Sequence, residues 1–266
     1  MANAAAGVIS TADVPVVQTR EANGVLVITI NRPKVRNAID GATARALAQA
    51  FDQLDARDDL AVGVLTGAGG TFSAGMDLKA FAAGDTPLIP GRGFAGLTRA
   101  RPRAPLIAAV EGWALGGGTE MALACDIIVA AQDATFGLFE VTHGLVPPEG
   151  GIVRLPERIA PNIALELLLT GDPLPAERAE QLGLVNHLAA PGEALDRAVE
   201  LATRIAGNAP LAVAAIKRAV TERTAFDDKG AFSQQDQIVA PVLASEDAQE
   251  GARAFAEKRP PHWQGR

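Results

Sequence analysis

The segment Gly116-Gly117-Gly118-Thr119-Glu120 carries the strongest chemical signal in the sequence. Glycines at a helix start leave backbone N–H groups uncovered, and the helix dipole adds positive potential there. Such a start can bind a phosphate, or hold a carbonyl oxygen that is gaining negative charge. It is neither a P-loop nor a GxGxxG fingerprint, because the terminal Gly-Lys-Ser/Thr and the spacing are missing. A tight strand-to-helix turn explains the glycines equally well. Glu120 falls in the first helical turn, where the dipole favours a carboxylate. Its neighbours Trp113, Leu115, Met121 and Leu123 are apolar. An acid among them is partly desolvated, which raises its pKa toward the range useful for proton transfer.

Phe72-Ser73-Ala74-Gly75-Met76-Asp77-Leu78 is a second glycine-containing loop after a predicted strand. It can offer another backbone N–H, or simply form a turn. Glu140 stands in the apolar stretch Thr135-Phe136-Gly137-Leu138-Phe139-Glu140-Val141. A lone carboxylate there is either an exposed strand end or a buried acid with a task. Glu120 and Glu140 together offer an acid/base pair, although sequence spacing does not place them face to face. Asp77 and Asp126 read as turn or capping residues, and Cys125 as a small packed hydrophobe. His143 reads as a loop residue, His187 and His262 have no chemical context, and Arg99, Arg101 and Arg103 read as a solvated loop.

The elements that must position these groups are those of an α/β chain. With 266 residues, 48% apolar and 21% charged, the composition is globular and supports a large core. One cysteine excludes an internal disulfide and a cysteine-based zinc site, and three scattered histidines speak against a metal cluster. A net charge of −7 argues against nucleic acid as the main ligand. No apolar run is long enough to cross a membrane, and the N-terminus has no signal-peptide pattern, so a cytoplasmic protein is expected. Tyrosine is absent, which leaves carboxylates, cations, hydroxyls and backbone amides to do chemistry.

Residues 1–13 read as a loose arm. A hairpin is predicted over 16–21 and 25–30 around Asn23-Gly24, then a helix capped by Asp40. Buried strands are predicted over 61–66, 106–110 and 126–131, with a short helix from the glycine run to Ala124. From Pro161 the pattern is helical: 161–170, 175–182, 191–207, 210–224, 231–240 interrupted by Pro241, and a last helix capped by Ser245 to about Lys258. A last strand is predicted over 184–188.

Taken together the segments resemble the crotonase superfamily, the enoyl-CoA hydratase/isomerase family, from about residue 16 to 263. The resemblance rests on Asn31-Arg32-Pro33 with Asn37-Ala38, on residues 72–79, on Ala109 through Glu120, on Cys125-Asp126, on Phe136-Gly137 with Glu140, on Gly144-Leu145-Val146-Pro147, and on Ala254-Phe255 with Glu257-Lys258-Arg259. It implies a spiral of ββα units over residues 1–195, with a helical region over 196–266 that builds a homotrimer or a dimer of trimers. It implies an acyl-CoA thioester as ligand, with no metal or redox cofactor. The N–H groups of Met76 and Gly117 would form an oxyanion hole for the thioester oxygen. Glu120 would deprotonate the water that attacks the β carbon, and Glu140 would deliver a proton to the α carbon. Residues 34–38, with Lys34, Arg36 and Ala38, and the loop of Ala74, Gly75, Asp77 and Leu78 resemble segments that hold CoA, beside Gly116. Lys79 and Arg36 would meet phosphates, and so would Lys258 from a neighbouring subunit, unless these are plain solvated charges.

One stretch departs from the hydratase pattern, Pro148-Glu149 ahead of Gly150-Gly151. Glu149 is either a third acid facing the acyl group or a charge at a helix start pointing away. The expected activity is reversible hydration of a 2-enoyl-CoA. The rivals are an enoyl-CoA isomerase, a dehydratase of carnitinyl-CoA type, and a binding member of the superfamily, for acyl-CoA or RNA, with little catalysis.

Overall fold

The structure is a computed structural model that describes residues 15–222 and 228–266. β1 (Val17–Ala22) and β2 (Val25–Ile30) form the expected antiparallel hairpin. α1 (Gly41–Ala56) is capped by Asp40, whose carboxylate accepts the Thr43 N–H at 2.8 Å, and buries Leu47, Phe51 and Leu54 at helical spacing. Next come β3 (Val62–Gly67), α2 (Leu78–Ala82), β4 (Leu88–Ile89), β5 (Gly93–Phe94), β6 (Leu106–Val110) and β7 (Trp113–Leu115). They are followed by α3 (Gly117–Ala124), β8 (Ile127–Ala131), β9 (Thr135–Gly137), α4 (Gly151–Arg158), α5 (Pro161–Thr170), β10 (Leu174–Pro175), α6 (Ala176–Gln181) and β11 (His187–Ala189). The chain closes with α7 (Ala194–Ala206), α8 (Pro210–Glu222), α9 (Asp228–Leu243) and α10 (Glu246–Glu257).

The main sheet has the order β1-β2-β3-β6-β8-β11, and every pair after the first is parallel. Its central strands are apolar without alternation, as both-face burial demands; β6 is buried along its whole length. α1 packs on β1, β2 and β3, while α7 lies against β2, β3, β6, β8 and β11. A second sheet has the order β10-β9-β7, with Ala114 registered against Phe136, and contacts α3 through β7 and α6 through β10. This smaller sheet ends on Leu115, directly ahead of the glycine run.

Several sequence expectations are corrected. Residues 113–115, which lie in no predicted element, form β7, because pairing with β9 and a bridge from Ser73 to Ala114 satisfy their backbone. α4 appears in the sequence only as the helix start that one reading of Glu149 offers, since it has no capping side chain and contains Pro156. The last strand is shorter and later than 184–188, because the Leu184 and Val185 N–H groups turn back to Ala179 O. The helix expected from Pro191 begins at Ala194, where the Glu111 carboxylate accepts the Gly192 and Ala194 N–H groups at 3.0 and 2.8 Å. α9 runs through Pro241, which lies in its last turn. Within the expected helical region, α7 packs on the main sheet. The arm expected over residues 1–13 lies outside the described residues, as does the expected end of the 210–224 helix.

Candidate active site

Two loops are stitched together backbone to backbone. Phe72 N–H donates to Glu111 O at 2.8 Å, Ser73 N–H to Trp113 O at 3.0 Å, and Leu115 N–H to Ser73 O at 3.0 Å. Gly75 has a φ of +82°, and a Cβ there would stand 2.6 Å from Leu115 O and 3.0 Å from Gly117 N. A Cβ at Gly118 would stand 2.4 Å from Ser73 O. Only glycine allows this approach. Ile39 grips the other side: its N–H donates to Gly75 O at 2.8 Å and its carbonyl accepts the Asp77 N–H at 2.9 Å. Between these bonds the Met76 N–H donates to nothing among the described residues, and the same holds for the Gly117 N–H at the first position of α3. Two free amides on adjacent loops are what stabilising a developing oxyanion requires.

Beneath them, buried Asn37 fixes the geometry. Its Nδ2 donates to Ala68 O at 2.8 Å and to Thr71 O at 2.6 Å, and its Oδ1 accepts the Arg32 N–H at 2.9 Å. The Asn37 carbonyl accepts the Ser73 hydroxyl at 2.8 Å.

Glu120 is only 2% exposed. Its Oε1 accepts the Glu149 N–H at 2.7 Å and the Gly151 N–H at 3.0 Å. Its Oε2 takes no hydrogen bond from the described residues. Burial pushes its pKa up to about 7; the two N–H bonds oppose the rise, and the charges of Glu140 and Glu149 add to it. Glu140 heads a 3-10 turn, Glu140–His143, right after β9. Its Oε2 is buried without a hydrogen-bond partner among the described residues. A Cβ at Gly116 would lie 3.0 Å from Glu140 Oε1, so the carboxylate rests against the glycine turn. Burial raises the Glu140 pKa as well. The Glu140 charge thus bears on Glu120, although the two acids are twenty residues apart in sequence.

Glu149 stands just ahead of α4 with both carboxylate oxygens engaged: Oε2 accepts from Thr98 Oγ1 at 2.7 Å and from the Phe94 N–H at 3.1 Å, and Oε1 accepts from Arg99 Nη2 at 2.7 Å. Burial alone would raise its pKa, yet the Arg99, Thr98 and Phe94 bonds hold it below the usual carboxylate range. Arg99, read from sequence as solvated, is therefore an ion-pair partner across about fifty residues of chain. Sequence reasoning missed Phe94, whose ring would lie 2.7 Å from a Cβ at Gly117. No local signal marks Phe94, Thr98 or Arg99, because their partners are remote in sequence.

The remaining expected binding residues divide. Lys34 and Arg36 are exposed on a 3-10 turn, Pro33–Val35, and its C-cap, and the Arg36 carbonyl accepts the Ala74 N–H at 2.9 Å. Ala38 is buried, while Leu78 is 66% exposed at the start of α2. The Asp77 side chain is committed elsewhere: it caps α2 through the Lys79 and Ala80 N–H groups at 3.2 Å and pairs with Arg32 at 3.1 Å. Within one chain Lys258 is not brought to these loops; it is the left-handed C-cap of α10, which packs on α9. His143 is exposed, and burial pushes the Cys125 thiol up to about 12. Among the described residues no cluster of His, Cys, Asp and Glu could hold a metal ion, and no single helix is long and apolar enough to cross a membrane.

The enoyl-CoA hydratase/isomerase family profile matches residues 20–266. An enoyl-CoA hydratase of Mycobacterium tuberculosis, EchA19, is 45% identical over 252 residues, 91% of this chain and 93% of its own. A carnitinyl-CoA dehydratase of Salmonella arizonae is 46% identical over 252 residues, with 91% and 95% covered. Among solved structures, an enoyl-CoA hydratase from Mycobacterium tuberculosis superposes with a TM-score of 0.93 at 56% identity, covering 95% of this chain and 100% of that one. A carnitinyl-CoA hydratase from Mycobacterium avium gives 0.77 at 40% identity, with 96% and 100% covered. A match of this extent, on a crotonase fold, makes the chain a member of the enoyl-CoA hydratase/isomerase family.

Proposed function

We propose that the protein adds water across the C2=C3 bond of a 2-enoyl-CoA thioester and catalyses the reverse dehydration. The observation that carries this reading is the pair of unengaged N–H groups, on Met76 and Gly117, close to the Gly116 turn against which half-buried Glu140 rests. Gly117 opens the helix that carries buried Glu120, and both acids have a raised pKa. The thioester oxygen accepts both N–H groups. Glu120, whose Oε1 is fixed by two N–H bonds that favour its ionised form, takes a proton from water through Oε2. The water oxygen bonds to C3, and the C2=C3 electron pair moves onto the thioester as an enolate. The oxyanion hole stabilises that charge where it forms. Glu140, whose orphaned oxygen favours the protonated form, delivers its proton to C2. One proton has entered Glu120 and one has left Glu140, so a proton passing between them through solvent restores the pair.

On this reading Lys34, Arg36, Ala38, Ala74, Gly75, the Asp77 backbone, Leu78 and Gly116 would carry the CoA, supported by the bond from the Ala74 N–H to the Arg36 carbonyl that joins the exposed turn to the Met76 loop. Lys258 would reach CoA only from a second subunit. The exposed apolar side chains Leu243 and Phe255 of α9 and α10 support a homotrimer or dimer of trimers. The test is turnover of purified protein on crotonyl-CoA, longer 2-enoyl-CoAs, a 3-enoyl-CoA and a polar 3-hydroxyacyl-CoA, with product identification. Loss of the enoyl absorbance with formation of 3-hydroxyacyl-CoA is expected. Double-bond migration without hydration, or binding without turnover, would overturn the reading.

A further inference from the structure

Glu149 links three parts of the site. Its N–H, with that of Gly151, holds Glu120 Oε1. Its carboxylate ties the turn ahead of α4 to the segment 94–99 through the Phe94 N–H, the Thr98 hydroxyl and Arg99. A second arginine closes the same seam from the other side: Arg154 on α4 donates to Glu149 O at 3.4 Å and to Thr98 O. The carboxylate is 8% exposed and takes a charge-assisted bond, so it has little freedom to move. The tied segment includes Phe94, whose ring abuts Gly117. A single ion pair therefore sets the donors that fix one carboxyl and the wall behind one oxyanion-hole amide.

We propose that Glu149 is a positioning residue, whose Arg99-bound carboxylate locks the turn that orients Glu120 and does not itself select the acyl group or exchange a proton. The inference rests on the hydratase reading for what Glu120 does. The geometry it describes is independent of that reading. A misplaced turn moves Glu120 by tenths of an ångström, enough to lower the chemical step while leaving thioester binding alone.

The test uses Glu149→Gln, which keeps the shape and removes the charge, and Arg99→Met, which keeps the charge and removes its partner. The Arg99 side chain is 61% exposed, so its replacement leaves the core intact. Both variants should lower kcat about tenfold or more with KM within about twofold. The charged groups around Glu120 are Glu140, Glu149, Arg99 and Arg154. Removing the Glu149 charge should shift the Glu120-dependent limb of the kcat–pH profile to lower pH, and removing Arg99 should shift it to higher pH. These charges act on Glu120 through space whatever the seam does, so the limb shifts show only that they face it, and the fall in kcat at constant KM reads the positioning. Unchanged kcat in both variants, or a loss that appears in KM alone, overturns the proposal. Crystal structures of both variants give a reading free of turnover. Lengthening of the Glu120 bonds to Glu149 N and Gly151 N supports positioning, and their retention in both overturns it. A wild type that hydrates no enoyl-CoA defeats the activity and leaves that structural reading standing.

Discussion

Gly75 and Gly117 meet without side chains between them: a Cβ on Gly75 would lie 3.0 Å from Gly117 N. The distance ties the loop that presents the Met76 N–H to the helix that presents the Gly117 N–H. Gly75→Ala should push the two donors apart, and its φ of +82° adds backbone strain. We expect kcat to fall about 10²–10³-fold, the range for losing one oxyanion donor. Steady-state kinetics on a 2-enoyl-CoA, with circular dichroism to confirm folding, reads this; near-wild-type kcat would show that the loops do not act as a pair.

Replacing either acid should separate hydration from binding. Glu120→Gln and Glu140→Gln each remove a proton-transfer group and leave the amides in place, so kcat should drop about 10²–10⁴-fold. Affinity for a non-hydratable acyl-CoA, measured by calorimetry, should change little. If the Glu140→Gln variant still hydrates at the wild-type rate, Glu140 is not the proton donor.

The Glu120 carboxyl also couples stability to pH. Its pKa rises on folding from 4.5 to about 7, so the folded chain holds the proton that the unfolded chain gives up in that window. Stability is then highest below the unfolded value and falls as pH rises through about 7. At about 1.4 kcal/mol per unit the loss is about 3 kcal/mol. Glu120→Gln escapes it and should melt above the wild type at about pH 8, with the gap closing toward about pH 5. Melting curves across pH check this, and a gap independent of pH would refute the coupling.

Asn37 should matter for stability and rate at once. Truncation to Ala strands the carbonyls of Ala68 and Thr71 and the N–H of Arg32 in a buried site. The cost should be about 2–4 kcal/mol, read by denaturant unfolding, together with a fall in kcat because the turn whose Asn37 carbonyl holds Ser73 is no longer pinned by the side chain. A loss below about 0.5 kcal/mol would mean that other donors replace it.

Much of this protein is written in its sequence. Asp40 and Ser245 cap their helices as local chemistry dictates, Pro161 and Gly171 bracket α5, and apolar runs such as residues 106–110 lie in the buried sheet. The glycine run ahead of Glu120 announced free amides on a helix start, because exposed N–H groups follow from the local backbone alone. What the sequence could not determine is every relationship that crosses the chain. Glu140 rests against the Gly116 turn, and its own turn packs on α5. Arg99 and Glu149 became partners only when segment 94–99 folded against the start of α4. Periodicity and capping report on a few neighbouring residues. Desolvation, ion pairing and the distance between two backbone amides depend on where remote segments come to rest, and only the tertiary structure decides that.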